Sequence, residues 1–150
     1  MSDILTRRVA AAQAAVDAYN GKAMIWGKRD CARLAAFTLK QLGHPIKLAP
    51  FGYYKTPATA GLALKRAGFD DLAGVMDSLG FARIAMASAL PGDILGFGHA
   101  DQFLRVSLAV ELGNGKMLAF LADQICHVAP FNHGAPAVDY MAWRADPWPL

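Results

Sequence analysis

Hydrophobic residues in the first half of the chain recur with the spacing of a helix. A first helix is predicted over residues 3–19, and the turn residues Asn20 and Gly21 end it. Its predicted buried face carries Leu5, Val9, Ala12, Val16 and Tyr19.

Three more helices are predicted before residue 80. The second begins at Asp30, whose carboxylate can accept hydrogen bonds from free backbone amides, and Gly43 terminates it. Its apolar stripe consists of Cys31, Leu34, Ala35, Leu39 and Leu42. After an ordered loop, the dipeptide Thr56-Pro57 opens a third helix that ends near residue 68. A short fourth helix covers residues 70–79.

The second half of the chain changes to the alternating pattern of β-strands. Predicted strands cover residues 94–97, 104–112, 116–121, 124–129 and 140–144. The segment Gly113-Asn114-Gly115 predicts a tight hairpin turn between two of them. Helices followed by an antiparallel sheet predict an α+β fold, with residues 1–150 forming one domain.

The composition is that of a chain that folds around a hydrophobic core. Its 150 residues are 55% apolar and 18% charged, which excludes a disordered chain. No uninterrupted apolar run of about 18 residues occurs, so no membrane-spanning helix is predicted. The net charge of +3 comes from scattered basic residues rather than a basic stripe, so we expect no nucleic-acid partner.

The cysteines predict neither disulfides nor secretion. Cys31 and Cys126 are too few for a disulfide framework. Polar residues interrupt the apolar stretch after Arg7-Arg8, unlike the core of a secretory signal. We therefore expect the chain to fold in a reducing cytoplasm.

The segment that ends in Asp30 and Cys31 is the strongest candidate for chemistry. Cys31 follows a glycine-containing loop and lies in the first turn of the second predicted helix. A helix N-terminus carries partial positive charge and free amides, which favour a thiolate and hence a nucleophile. The alternative is a small buried cysteine that packs beneath the helix start.

Other site types find less support in the sequence. Cys126 and His127 are adjacent on a predicted strand and point to opposite faces, so we expect no metal site. Gly96 and Gly98 lack the helix and lysine of a phosphate-binding loop, and we expect no cofactor. One set of aromatic residues fits either a ligand groove or ordinary core packing. It consists of Trp26, Phe51, Tyr53, Tyr54, Trp143 and Trp148.

The order of several short motifs resembles the NlpC-type cell-wall peptidases, which are papain-like cysteine hydrolases. The motifs are Trp26-Gly27-x-x-Asp30-Cys31, Pro91-Gly92-Asp93 and Leu112-Gly113-Asn114-Gly115-Lys116. With Tyr54-x-Thr56 and Trp143-Arg144, the chain looks more like a branch found among the tail genes of phages and prophages. The resemblance covers about residues 15–145. It implies a papain-like NlpC-type fold with the N-terminal helices packed on the C-terminal antiparallel sheet.

The resemblance implies Cys31 as the nucleophile but places no general base beside it. Catalytic members carry a histidine on the strand before the hairpin, and the corresponding residue here is Ser107, which cannot accept a proton at neutral pH. His127 and His99 are the candidate replacements, because a sheet neighbour of the cysteine helix would supply a papain-like base. His44 lies about 20 Å along the helix axis from Cys31 and is a poor candidate.

The resemblance also implies a protein of a phage or prophage tail tip or baseplate, made in the host cytoplasm and located in the virion tail. With Cys31 retained and its base missing, we expect a mainly structural or docking role against tail hub or baseplate proteins. Its expected contact segments are the apolar loop at residues 50–54 and the proline-rich segment 146–150.

The alternative is an active cysteine hydrolase that cleaves peptidoglycan peptides as phage DNA enters the cell. Its oxyanion donors would be backbone amides at the helix start, flanked by Trp26 and Asp30. A cytoplasmic binding protein unconnected with virions is a third interpretation.

Overall fold

The computed structural model of the chain describes residues 2–48, 52–98, 105–131 and 140–149. Within these ranges the helices are α1 (Ser2–Tyr19), α2 (Cys31–Gln41), α3 (Pro57–Arg66) and α4 (Leu72–Ser78). The strands are β1 (Arg83–Ile84), β2 (Ile94–Gly98), β3 (Val106–Gly113), β4 (Lys116–Phe120), β5 (Cys126–Pro130) and β6 (Tyr140–Trp143). A short 3-10 helix, Met86–Ser88, lies between β1 and β2.

The strands form one sheet in the order β1-β6-β2-β3-β4-β5, and each neighbouring pair is antiparallel. Helices followed by an antiparallel sheet confirm the predicted α+β class. The sequence did not predict β1, since two residues are too few to show an alternating pattern. This strand forms because Arg83 and Ile84 pair with Trp143 and Ala142 of β6.

The helix ends follow the predicted local signals. The Asp30 carboxylate accepts a hydrogen bond from the backbone amide of Arg33, as expected of an N-cap. Thr56 caps α3 in the same way and exchanges hydrogen bonds with Thr59. After α2, Gly43 adopts a φ of 97°, and a Cβ there would lie 1.8 Å from the Trp148 carbonyl oxygen. The helix therefore ends at a position that requires glycine.

Both faces of the sheet are covered. On one face, α2 packs against β3, and the predicted α2 stripe is buried with Leu108 and Val110. On the other face, a smaller apolar cluster contains Leu95, Ala109, Ala119 and Ala142. Successive residues of β3 thus alternate between the two layers.

The predicted face of α1 is wrong at its N-terminal end. Leu5 and Val9 are 57% and 51% exposed, whereas Arg8 is 1% exposed. The helix is turned so that Arg8 reaches Asp93, with 3.0 Å between Nη1 and Oδ1, and also binds Asp146. The other residues on the buried face are mainly alanines, which allow close packing: Ala11, Ala12 and Ala15.

The segment after β6 is held by the protein's own helices. The backbone amide of Trp148 donates to the Leu42 carbonyl oxygen at 2.8 Å. The His44 Nε2 atom lies 2.6 Å from the Asp146 carbonyl oxygen, and Arg7 donates to the Pro149 carbonyl oxygen. Within the described ranges no helix combines the length and apolarity needed to cross a membrane.

Candidate functional site

Cys31 is the first residue of α2, as predicted, but its side chain is 7% exposed. It packs in the core cluster that also contains Leu108 of β3. Burial raises the pKa of the Cys31 thiol to about 11, while a hydrogen bond from the backbone of Leu108 acts in the opposite direction. The site therefore holds a protonated thiol at neutral pH.

Asp30 organises the backbone in front of the cysteine. Its carboxylate is 1% exposed, and its Oδ1 atom accepts from the Arg33 amide at 3.0 Å. Its Oδ2 atom accepts from the Gly27 amide at 3.0 Å and from the Tyr54 hydroxyl at 2.8 Å. The aspartate of the motif thus joins the loop, the helix start and the segment before α3.

Gly27 and Tyr54 complete this arrangement. Gly27 has a φ of 83°, and a Cβ on it would lie 2.0 Å from the Tyr54 carbonyl oxygen, so this position requires glycine. Burial raises the pKa of Tyr54, and the neighbouring Asp30 raises it further. The Tyr54 hydroxyl consequently stays protonated and donates to Asp30. The sequence analysis named Tyr54 in a motif, in the aromatic set and in the loop at residues 50–54, and none of these predicted its hydrogen bond to Asp30.

The structure does not bring His127 to the thiol. Antiparallel partners lie on one face of a sheet, and His127 pairs with Ala119, which belongs to the cluster on the face away from the helices. Cys31 packs on the opposite face. The His127 Nε2 atom instead lies 2.7 Å from Asp123 Oδ2. The other candidate base, His99, lies outside the described residues.

Ser107 also lies away from Cys31. It pairs with Phe97, which packs against the cluster on the far face of the sheet. The β3 side chains in the same core cluster as Cys31 are Val106, Leu108 and Val110, and the backbone of Leu108 hydrogen-bonds to the Cys31 thiol. None of these three side chains has a group that can accept a proton.

The second cysteine and the aromatic set do not extend this site. Cys126 faces the core, where burial raises the pKa of its thiol to about 12, and His127 beside it faces the other way. No three histidine, cysteine or carboxylate side chains cluster as metal ligands in the described part of the chain. Trp143 is fully buried and donates from Nε1 to Asp77, whereas Trp148 is 56% exposed. Phe51 lies outside the described residues.

The sequence matches the family described as DUF6950, a domain of unknown function, over residues 5–137. The chain belongs to this family. A comparison of its sequence with those of curated proteins found no match.

This DUF6950 chain is similar in structure to NlpC2 from Trichomonas vaginalis, with a TM-score of 0.57 and 19% sequence identity. The match covers 93% of this chain and 46% of the NlpC2 chain, so the DUF6950 protein spans less than half of that structure. Together with the helix-then-sheet order, this likeness confirms the predicted NlpC-like, papain-like fold.

Proposed function

We propose that this protein is a non-hydrolytic member of the NlpC-like fold that serves as a structural or docking component of a phage or prophage tail. The observation that carries the first part is the environment of Cys31. Its thiol is buried, its pKa is raised to about 11, and the β3 residue beside it is Leu108. A cysteine hydrolase needs the opposite arrangement, an accessible thiolate beside an imidazole.

Retention of the motif without the chemistry has a structural explanation. Asp30 and Gly27 hold the loop, the helix start and Tyr54 together by hydrogen bonds. Asp93 of the Pro91-Gly92-Asp93 motif lies buried against Arg8. These residues stabilise the fold whether or not Cys31 reacts.

The tail location is supported by the motif order that resembles the tail-associated branch of the NlpC superfamily. Mass spectrometry of purified particles from a strain that carries this gene tests it, and we expect the protein among tail hub or baseplate components. Its absence from particles that contain all other tail proteins would favour a cytoplasmic binding protein.

The decisive experiment on chemistry is the pH dependence of Cys31 alkylation in a Cys126→Ala background. We expect a midpoint near pH 11 and, at pH 7, labelling about 100-fold slower or more than in the denatured chain. Peptidoglycan hydrolysis should be absent from the protein and from its Cys31→Ser variant alike.

The alternative, an active peptidoglycan hydrolase, predicts the reverse result. A midpoint below about pH 6 that is lost in His99→Ala would assign a thiolate–imidazolium pair to Cys31 and His99. His127→Ala is the matched control, since His127 lies on the other face of the sheet and its loss should not shift the midpoint.

A further inference from the structure

A cavity of about 260 Å³ lies between α2, α3 and α4. It exists because the facing positions of α2 and α3 carry small side chains. Protein interiors are otherwise packed with few voids larger than a water molecule. The five alanines in its lining are Ala32, Ala35, Ala36, Ala60 and Ala63.

The lining is apolar except for four side chains, two of which are already engaged. The Ser78 hydroxyl donates to the Val75 carbonyl oxygen, and the Tyr54 hydroxyl donates to Asp30. The other two, Arg33 and Lys47, are cations. Among the described lining residues there is no carboxylate. The charged side chains that line the cavity are therefore both cations, and the carboxylate of Asp30 lies behind Arg33.

Arg33 supplies a second, independent observation. Its Nε atom is buried and has no hydrogen-bond acceptor within the described part of the chain. The nearest carboxylate oxygen, Asp30 Oδ2, is 3.9 Å away and already accepts from Gly27 and Tyr54. Its guanidinium lies 5.8 Å from the centre of the Tyr54 ring, which orients it at the cavity wall. Buried donors in native proteins nearly always have partners.

We infer that this cavity binds an aliphatic chain with an anionic head group, such as a medium-chain carboxylate. The apolar walls would take the chain, and Arg33 with Lys47 would pair with the head group. An apolar cavity of about 150 Å³ accepts benzene, so the larger volume here suits a chain of about eight carbons. This inference does not rest on the proposed function, because it involves no reaction at Cys31.

Isothermal titration calorimetry of the full chain with octanoate, 1-octanol and octyltrimethylammonium tests the inference. These probes share the chain and differ in the charge of the head group. We expect one octanoate per chain, with affinity at least fivefold higher than that of 1-octanol and no saturable binding of the cation. Absence of saturable octanoate binding, or equal affinity for octanoate and octanol, would overturn the inference.

Two variants locate the site. Ala63→Leu adds three carbons to the cavity wall and should weaken octanoate binding at least tenfold, while far-UV circular dichroism and the melting temperature show that the protein is still folded. Arg33→Gln should reduce octanoate affinity to that of octanol and leave octanol binding unchanged. Arg66→Gln, an exposed arginine of α3 outside the described lining, is the matched control. Unchanged octanoate binding in both test variants would exclude this cavity.

Discussion

At the scale of single residues, Asp30 has the largest structural role in the site. A buried carboxylate is costly unless hydrogen bonds compensate it. Asp30 accepts from the amides of Gly27 and Arg33 and from the Tyr54 hydroxyl. Removing its side chain leaves these donors without their acceptor, whereas removing the Tyr54 hydroxyl leaves the helix cap intact.

We therefore expect Asp30→Ala to destabilise the protein by about 2–4 kcal/mol, since it removes a helix cap and leaves a buried hydroxyl unpaired. Tyr54→Phe should cost about 1–2 kcal/mol, because only one charge-assisted hydrogen bond is lost. Urea unfolding followed by circular dichroism measures both. Equal effects of the two substitutions would show that the cap contributes nothing.

The buried thiols predict a dependence of stability on alkaline pH. The folded state raises the pKa of Cys31 to about 11 and that of Cys126 to about 12. Their contribution to stability is complete below the unfolded thiol pKa of about 8.5 and is lost as the pH rises through the folded values.

We expect the free energy of unfolding to fall above about pH 9, by up to about 1.4 kcal/mol per pH unit and per thiol. Cys31→Ala removes one of the two thiols and should reduce this slope by up to about 1.4 kcal/mol per pH unit. This change in slope is independent of the effect of the substitution on stability at pH 7. Urea titrations at several values between pH 7 and 10 measure the slope. An unchanged slope in the variant would mean that Cys31 ionises as easily folded as unfolded.

At the scale of elements, α4 packs on the sheet through apolar residues, and its carboxylate, Asp77, binds two strands. The Asp77 Oδ1 atom accepts from Trp143 Nε1 at 2.9 Å and from Arg83 Nε at 3.0 Å. The hydrogen bond from Arg83 lowers the pKa of Asp77 most, followed by the one from Trp143. Trp143 is fully buried, so its indole N–H depends on this acceptor.

We expect Asp77→Ala to cost about 1–3 kcal/mol, because a buried donor loses its partner. Asp77→Asn should cost less than about 1 kcal/mol, since its amide oxygen can still accept from Trp143 and the pair with Arg83 is exposed to solvent.

Because the folded pKa of Asp77 is lowered, its charge stabilises the protein above the unfolded pKa of about 3.9. The difference between wild type and Asp77→Asn in thermal melts should therefore begin to shrink below about pH 4 and be lost as the pH falls through the lowered folded pKa of Asp77. A difference that does not shrink at all as the pH is lowered from about 7 to 3 would contradict the charge effect.

At the scale of the whole molecule, one buried arginine connects both ends of the described chain. Arg8 of α1 pairs with Asp93, and both side chains are at most 1% exposed. Asp93 also accepts from the backbone amides of Leu90 and Ala145. Arg144 Nη1 lies 3.4 Å from the other carboxylate oxygen of Asp93. The first helix, the turn before β2 and the segment after β6 therefore meet at this buried carboxylate.

We expect Arg8→Ala to destabilise the protein by about 2–4 kcal/mol, because the buried Asp93 loses its closest cation and keeps only Arg144, at 3.4 Å. Asp146→Ala removes the solvent-exposed partner of Arg8 and should cost less than about 1 kcal/mol. Val9→Ala, at a 51% exposed position of the same helix, controls for the change in helix propensity. Chemical denaturation provides all three values, and a loss below 1 kcal/mol for Arg8→Ala would contradict the connecting role of this pair.

The sequence by itself determined the features that depend on a few neighbouring residues. The helix starts at Asp30 and Thr56 and the hairpin turn at residues 113–115 lie where the local signals predicted them. Capping and turn formation involve residues three or four positions apart, so a short segment of sequence contains all the groups that interact. The order of these elements predicted the α+β class, and the resemblance carried by the short motifs predicted the NlpC-like fold.

Only the tertiary structure decided which side chains meet. The hydrophobic pattern placed Leu5 and Val9 of α1 in the core, but Arg8 is buried there because Asp93, 85 positions later, compensates its charge. Likewise, whether the thiol of Cys31 faces an imidazole or Leu108 depends on strand register across the sheet, and a shift of one residue exchanges the two faces. Such pairings join residues far apart in the chain, so no local pattern in the sequence encodes them.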